Sequence, residues 1–116
     1  MSKKVTIVGA GSVGSTIAFM MAVKGLASEV VLIDINEAKA LGEALDIRQG
    51  TPLCDTPISI YAGSYADAKD SDVVIITSGV PRKPGQTRID LCQTNVNILK
   101  SIASNIVEHA PNAYYI

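Results

Sequence analysis

The chain is poor in the residues that make metal sites and disulfide frameworks. Two cysteines, Cys54 and Cys92, and one histidine, His109, occur in its 116 residues. The cysteines form no C-x-x-C pair and have no histidine cluster beside them. That argues against a zinc site, with no metal expected, and against a disulfide framework; reduced thiols in a cytoplasmic protein are the simpler reading. Excess charge is also missing: 10 basic residues against 11 acidic ones give a formal net charge of −1. Bulk attraction to nucleic acid or to an acidic membrane is therefore not expected, and any functional cation must act locally. No internal linker, repeat or low-complexity tract divides the chain, which reads as one modest domain. The one long uncharged run, residues 5–23 behind Lys3 and Lys4, contains Gly9, Gly11 and Gly14 together with Ser12, Ser15 and Thr16. It is poor as a membrane span or signal peptide and good as a strand, a turn and a helix.

What is present is an alternation of strands and helices. Residues 5–8 (VTIV) read as a β-branched strand, followed by the glycines and an apolar helical segment at 17–23. Residues 29–34 (EVVLID) form a second strand, apolar without a break, as a parallel strand covered on both faces is. Asn36 caps a second helix through Ala38, Leu41, Ala44 and Leu45, which Gly50 and Pro52 stop. Then come a third strand at 58–61 (ISIY), a helical turn opened by Ser64 and Asp67 at capping-box spacing, and a fourth strand at 73–77 (VVIIT). A long helix from about 89 to 108, ended by Pro111, leads to a fifth strand at 113–116, inside which the chain is expected to stop. The pattern predicts an α/β fold, a doubly wound parallel sheet with right-handed crossovers.

Gly9-Ala10-Gly11-Ser12-Val13-Gly14 fits G-x-G-x-x-G, a weak signal alone that gains weight between a strand and a helix. The first glycine permits a tight turn, the second lets a pyrophosphate approach the backbone, and the third lets helix and strand pack closely. Free N–H groups and the positive end of the helix then face the phosphates. Asp34 ends the second strand about 20 residues beyond the motif, where a carboxylate accepts hydrogen bonds from the adenine-ribose hydroxyls. Its charge repels a 2′-phosphate, and Ile35 and Asn36 supply no cation to hold one, so NAD is favoured over NADP. The sheet is accordingly of Rossmann type. A structural glycine turn with a helix-capping aspartate is the alternative.

Residues 79–88 (GVPRKPGQTR) leave the fourth strand on the same side as the cofactor. Two arginines there, Arg82 and Arg88, have the planar permanent charge that suits a carboxylate, although a solvated basic loop would look alike. Pro81 and Pro84 stiffen the segment and Gly85 lets it bend, as a lid that closes as a unit requires. At this point VTIVGAGSVGSTIAF, VVLID, GEALDI, SDVVIITSGVPRKPGQTRIDL and TNVNILK resemble the amino-terminal part of the NAD-dependent lactate/malate dehydrogenases.

The resemblance implies hydride transfer between NADH and the carbonyl carbon of a 2-oxo acid. Arg88 would bind the substrate and polarise its carbonyl, and Arg82 would bind the second carboxylate of oxaloacetate. Lactate types usually carry glutamine at the position of Arg82, so malate is favoured. Gln86 and its neighbours look more lactate-like, which keeps lactate as the alternative. Among cofactor contacts the resemblance adds Val13, Lys39, Tyr65, Gly79, Val80 and Asn95 to Gly9, Gly11, Gly14 and Asp34. Lys39 also reads as a surface lysine and Tyr65 as a packing aromatic. His109 is not the family's catalytic histidine, which lies later with its aspartate partner. Residues 1–116 are therefore expected to be an NAD-binding domain that includes the lid and lacks the catalytic domain. They would be inactive alone and belong to a homo-oligomeric enzyme; a stand-alone NAD-binding module is the alternative of another class.

Overall fold

A computed structural model describes residues 2–116. The β-branched runs form five strands: β1 (Lys4–Val8), β2 (Glu29–Ile33), β3 (Ser59–Ala62), β4 (Val73–Ile76) and β5 (Tyr114–Tyr115). They make one sheet in the order β3-β2-β1-β4-β5, and every neighbouring pair is parallel. The chain runs outward from β1 to β3, then crosses back to lay β4 on the other side of β1. At such a reversal a crevice opens beyond the carboxyl ends of the strands.

Alternation along the strands divides the core in two. Val5, Ile7, Val30, Leu32 and Ile60 point towards helices α1 (Ser12–Lys24) and α2 (Glu37–Gly50). Val8, Val31, Ile33 and Val74 point the other way, towards Ile102 and Ile106 of α3 (Arg88–Ile106). With both faces covered, the strands read as unbroken apolar runs. Fully inaccessible residues such as Ile7 and Leu32 each contribute about 2 kcal/mol relative to exposure.

Helix α1 begins at Ser12, well before the expected apolar segment. Its polar residues fit inside the helix because their hydroxyls bond back one turn, Ser15 Oγ to Gly11 O at 2.7 Å and Thr16 Oγ1 to Ser12 O at 2.6 Å. Gly14, Ala18 and Ala22 form its buried stripe, small enough for the axis to lie close to the sheet. Asn36 caps α2 as expected, its side chain accepting from Lys39 N at 3.1 Å. Ser64 and Asp67 form a reciprocal capping box over the 3-10 turn Tyr65–Ala68. Helix α3 ends at Ile106, and a turn over residues 107–109 separates it from Pro111. Tyr114 and Tyr115 are paired with Val73 and Val74, and Ile116 continues the ladder by donating to Val74 O at 3.0 Å.

The amino ends of the strands carry a polar network that hydropathy does not announce. Thr6 and Ser71 are buried and satisfy one another through a 2.7 Å hydroxyl bond. The Tyr61 hydroxyl donates to Glu29 Oε2, which also lies 3.6 Å from Lys4 Nζ. Burial first, and then the Glu29 carboxylate, push the Tyr61 phenol well above the ordinary tyrosine range.

Candidate cofactor and substrate site

Gly9 turns the chain off β1 with φ +115°, a value that favours glycine. Its N–H donates to Ile33 O at 2.7 Å, joining the turn to the end of β2. Gly14 lies against the same turn, so closely that a Cβ there would stand 1.7 Å from Gly9 O. Gly11 is the opposite case, with nothing within 4 Å of an added Cβ. The outer glycines let backbone touch backbone, and the middle one borders open space. Gly11 is also the N-cap of α1, with no side-chain cap and no acid in the first turn. The N–H groups of that turn lack acceptors inside the helix, and the positive end of the dipole adds to them. Together they make an anion cradle of the kind a pyrophosphate occupies. Val13, in the same turn, is exposed.

Asp34 follows β2 and is fixed by two backbone donors, Ala10 N to Oδ2 at 2.7 Å and Asn36 N to Oδ1 at 2.8 Å. Each bond to an ionised acceptor contributes about 1.5–3 kcal/mol. A carboxylate has about four lone-pair sites, so two remain for ribose hydroxyls beside the glycine turn. Lys39 is exposed on α2. Tyr65 packs its ring against the core cluster on the α3 side.

The exit from β4 is bound to the same turn. Thr77 Oγ1 donates to Gly9 O at 3.2 Å and Ser78 Oγ donates to Val8 O at 3.1 Å. None of the sequence motifs marks these hydroxyls; a Thr-Ser pair directly after an apolar strand is the signal that could have. Beyond them Val80 N donates to Asn95 Oδ1 at 2.9 Å, and a Cβ on Gly79 would lie 3.3 Å from the same oxygen. Asn95 thus reaches back from α3 to hold the start of the loop. At the tip, Gln86 N donates to Lys83 O at 3.1 Å. Pro84 and Gly85, the latter with φ +78°, occupy the corners as in a type II turn. Arg82 Nε donates to Gln86 O at 2.7 Å.

Arg88 requires a correction, because it is the first residue of α3 rather than the end of the loop. The cause is a capping box: Thr87 Oγ1 accepts from Asp90 N at 3.1 Å while the Asp90 carboxylate accepts from Thr87 N at 3.2 Å. The T-x-x-D spacing at 87–90 carries that signal in the sequence. A cation in the first turn opposes the helix dipole, which Asp90 offsets. Arg82 and Arg88 are both exposed, and neither is in a salt bridge among the described residues. Gly9, Gly11, Gly14 and Asp34 thus form one connected cluster, and Gly79, Val80 and Asn95 a second, joined to the first through Thr77 and Ser78.

An open cleft of about 910 Å³ lies elsewhere, lined by Lys3, Asp70, Asp72, His109 and Tyr114 among others. It sits at the amino ends of the strands, opposite the switch point, and is therefore not the cofactor site. No helix among the described residues is long and apolar enough to cross a membrane.

A glycine turn opening onto a helix N-terminus, a fixed acid after β2 and a sheet whose order reverses between β1 and β4 define a dinucleotide-binding domain. Residues 3–116 match the family described as "lactate/malate dehydrogenase, NAD binding domain", and the chain belongs to that family. Its cofactor is NAD, and the open Gly11 cradle and the two-donor hold on Asp34 fit it. The chain is 50% identical over 112 residues to an L-lactate dehydrogenase of Clostridium perfringens, covering 97% of this chain and 35% of that protein. It superposes on the minor L-lactate dehydrogenase of Enterococcus mundtii with a TM-score of 0.92 at 43% identity, covering 99% of this chain and 36% of that one. The malate dehydrogenase of Archaeoglobus fulgidus in complex with NADH gives 0.90 at 42%, covering 97% and 38%. The chain thus spans about a third of the length of the relatives it matches.

Proposed function

We propose that this chain is the cofactor-binding part of an NAD-dependent 2-hydroxy-acid dehydrogenase that interconverts malate and oxaloacetate. The observation that carries the dicarboxylate reading is Arg82, an exposed fork with no acid paired to it among the described residues, on the loop that leaves the switch point. NAD supplies the hydride acceptor. The first turn of α1 and Gly9, Gly11 and Gly14 hold the pyrophosphate, and Asp34 holds the adenosine ribose, with Val13, Lys39 and Tyr65 at that end. Gly79 and Val80 would hold the nicotinamide half, with Asn95 fixing their backbone through Val80 N.

Arg88 donates to the substrate carbonyl oxygen as negative charge develops on it. Arg82 takes the second carboxylate. A pyruvate methyl in that place leaves the guanidinium desolvated and unpaired, which disfavours pyruvate. We place the enzyme in the cytoplasm, consistent with free Cys54 and Cys92. We also read it as a homo-oligomer, consistent with Phe19, Met20, Leu41 and Leu45 exposed on α1 and α2.

A second reading, L-lactate dehydrogenase, has support in the name of the Clostridium perfringens relative. NADH oxidation by the full-length enzyme, with oxaloacetate and with pyruvate, tests the two. A higher kcat/KM for oxaloacetate supports the malate reading, and a higher value for pyruvate selects the lactate one.

A further inference from the structure

We propose that Gln86 is a positioning residue for Arg82, fixing its guanidinium so that a carboxylate is taken end-on by the two Nη groups. This goes beyond the malate reading and rests on its assignment of Arg82 to a carboxylate. Gln86 uses three of its polar groups within its own turn. Its N–H donates to Lys83 O at 3.1 Å, its carbonyl accepts from Arg82 Nε at 2.7 Å, and its Oε1 accepts from Lys83 N at 3.1 Å. It is also the one half-buried residue between Gly79 and Asp90, all the others being exposed.

These bonds close on the arginine from two sides. The side-chain oxygen holds the backbone immediately after Arg82, and the carbonyl holds the far end of the Arg82 side chain. A guanidinium can grip a carboxylate side-on, through Nε and one Nη, or end-on, through both Nη groups. With Nε occupied, the end-on fork is the free one. The side chain of Gln86, and not only its carbonyl, matters because the carbonyl is aimed by the turn that Oε1 clasps. Holding the fork before the ligand arrives lowers the ordering cost of binding.

Hydrogen exchange at the arginine Nε–H groups, resolved by NMR, reads this directly. In the unaltered protein, Arg82 Nε–H should exchange roughly tenfold more slowly than the exposed Arg88 Nε–H, the scale of one hydrogen bond at its upper end. Gln86→Met, which keeps the carbonyl and removes Oε1, should erase most of that difference, and Gln86→Glu, which restores an oxygen, should return it. Adding malonate, an unreactive dicarboxylate, with NADH should move the Arg82 Nη resonances and leave Nε–H slow. Equal exchange at the two arginines, slow exchange surviving in Gln86→Met, or malonate freeing Nε–H would each overturn the proposal. If malonate moves nothing while the Gln86 dependence holds, the positioning role stands and the dicarboxylate reading falls.

Discussion

Gly11 and Gly14 belong to one motif, yet alanine at each should fail in a different way. At Gly14 an added Cβ would lie 1.7 Å from Gly9 O and 2.9 Å from both Gly9 C and Thr77 Oγ1. An ordinary contact needs about twice the first distance. The obstacle is backbone, joined to Ile33 and Thr77, and cannot rotate aside. Helix α1 must therefore back away from the sheet, opening the contacts of Ala18 and Ala22 behind it. Overpacking of this kind costs about 3 kcal/mol, and a domain of this size loses roughly 4–8 °C of Tm per kcal/mol, so Gly14→Ala should melt on the order of 15 °C lower. At Gly11 the same methyl meets nothing within 4 Å, and φ −73° with ψ −168° is a conformation alanine adopts freely. Gly11→Ala should keep its Tm or gain up to about 1 kcal/mol from the stiffer unfolded chain. It should bind NAD at least ~10-fold more weakly, because on the proposed assignment the methyl enters the space the phosphates need. Thermal unfolding followed by circular dichroism, paired with NAD titration by calorimetry, separates the two. A Gly14→Ala protein that melts like the unaltered one, or a Gly11→Ala protein that binds NAD undiminished, would refute this division of labour.

Arg82→Gln should lower kcat/KM for oxaloacetate relative to pyruvate by at least ~30-fold, the lower range for removing one partner of a desolvated charge pair; an unchanged ratio would remove Arg82 from substrate selection. Asp34→Ala removes the acceptor of two backbone donors and, on the proposed assignment, the charge that faces the ribose. It should weaken NAD while narrowing the NAD-over-NADP preference, both read by titration, and a preference that stays as wide would count against the assignment. The Tyr61 phenol titrates above its ordinary value near 10 because of burial and the Glu29 carboxylate. The unfolded chain therefore loses this proton first as pH rises, so the tyrosine's stabilisation is complete below pH ~10 and declines above it. Tyr61→Phe should flatten the fall of Tm on that alkaline side, and an identical slope would show that Tyr61 is not its source.

The strands and the glycine turn were legible because they rest on local rules. β-branched apolar runs have few alternatives once both faces are buried, and the Gly9-to-Gly14 spacing with Asp34 behind it reports a backbone geometry few other contexts require. Asn36 and the Ser64–Asp67 pair were legible for the same reason, since a cap acts within one turn. Illegible features depend on residues distant in sequence that share an end of the sheet. Tyr61, Glu29 and Lys4 come from three strands, and their polar network follows only from parallel register. Thr77 and Ser78 meet Val8 and Gly9 only because β4 crosses back beside β1. Arg88 is the instructive failure, because the T-x-x-D signal was present but the proline-glycine loop drew the boundary one residue too late.

That boundary changes what Arg88 costs the fold. At the first position of α3, its charge faces the positive end of the helix dipole, an unfavourable term of about 0.3–1 kcal/mol at an exposed helix end. Asp90 offsets part of this but is itself occupied with the Thr87 N–H. Local energetics would favour almost any neutral or acidic residue there. A residue that breaks a local rule without a structural partner is the kind retained for function. The expected signature is opposed effects in one variant: Arg88→Ala should raise Tm by a few degrees while dehydrogenase activity falls by at least ~100-fold, the scale for losing one donor to a developing oxyanion. Arg88→Lys should keep the dipole penalty and recover little activity, because an ammonium cannot reproduce the planar fork. If Arg88→Ala instead unfolds at a lower temperature, Arg88 holds α3 in place, and its assignment to the substrate carbonyl loses its physical basis.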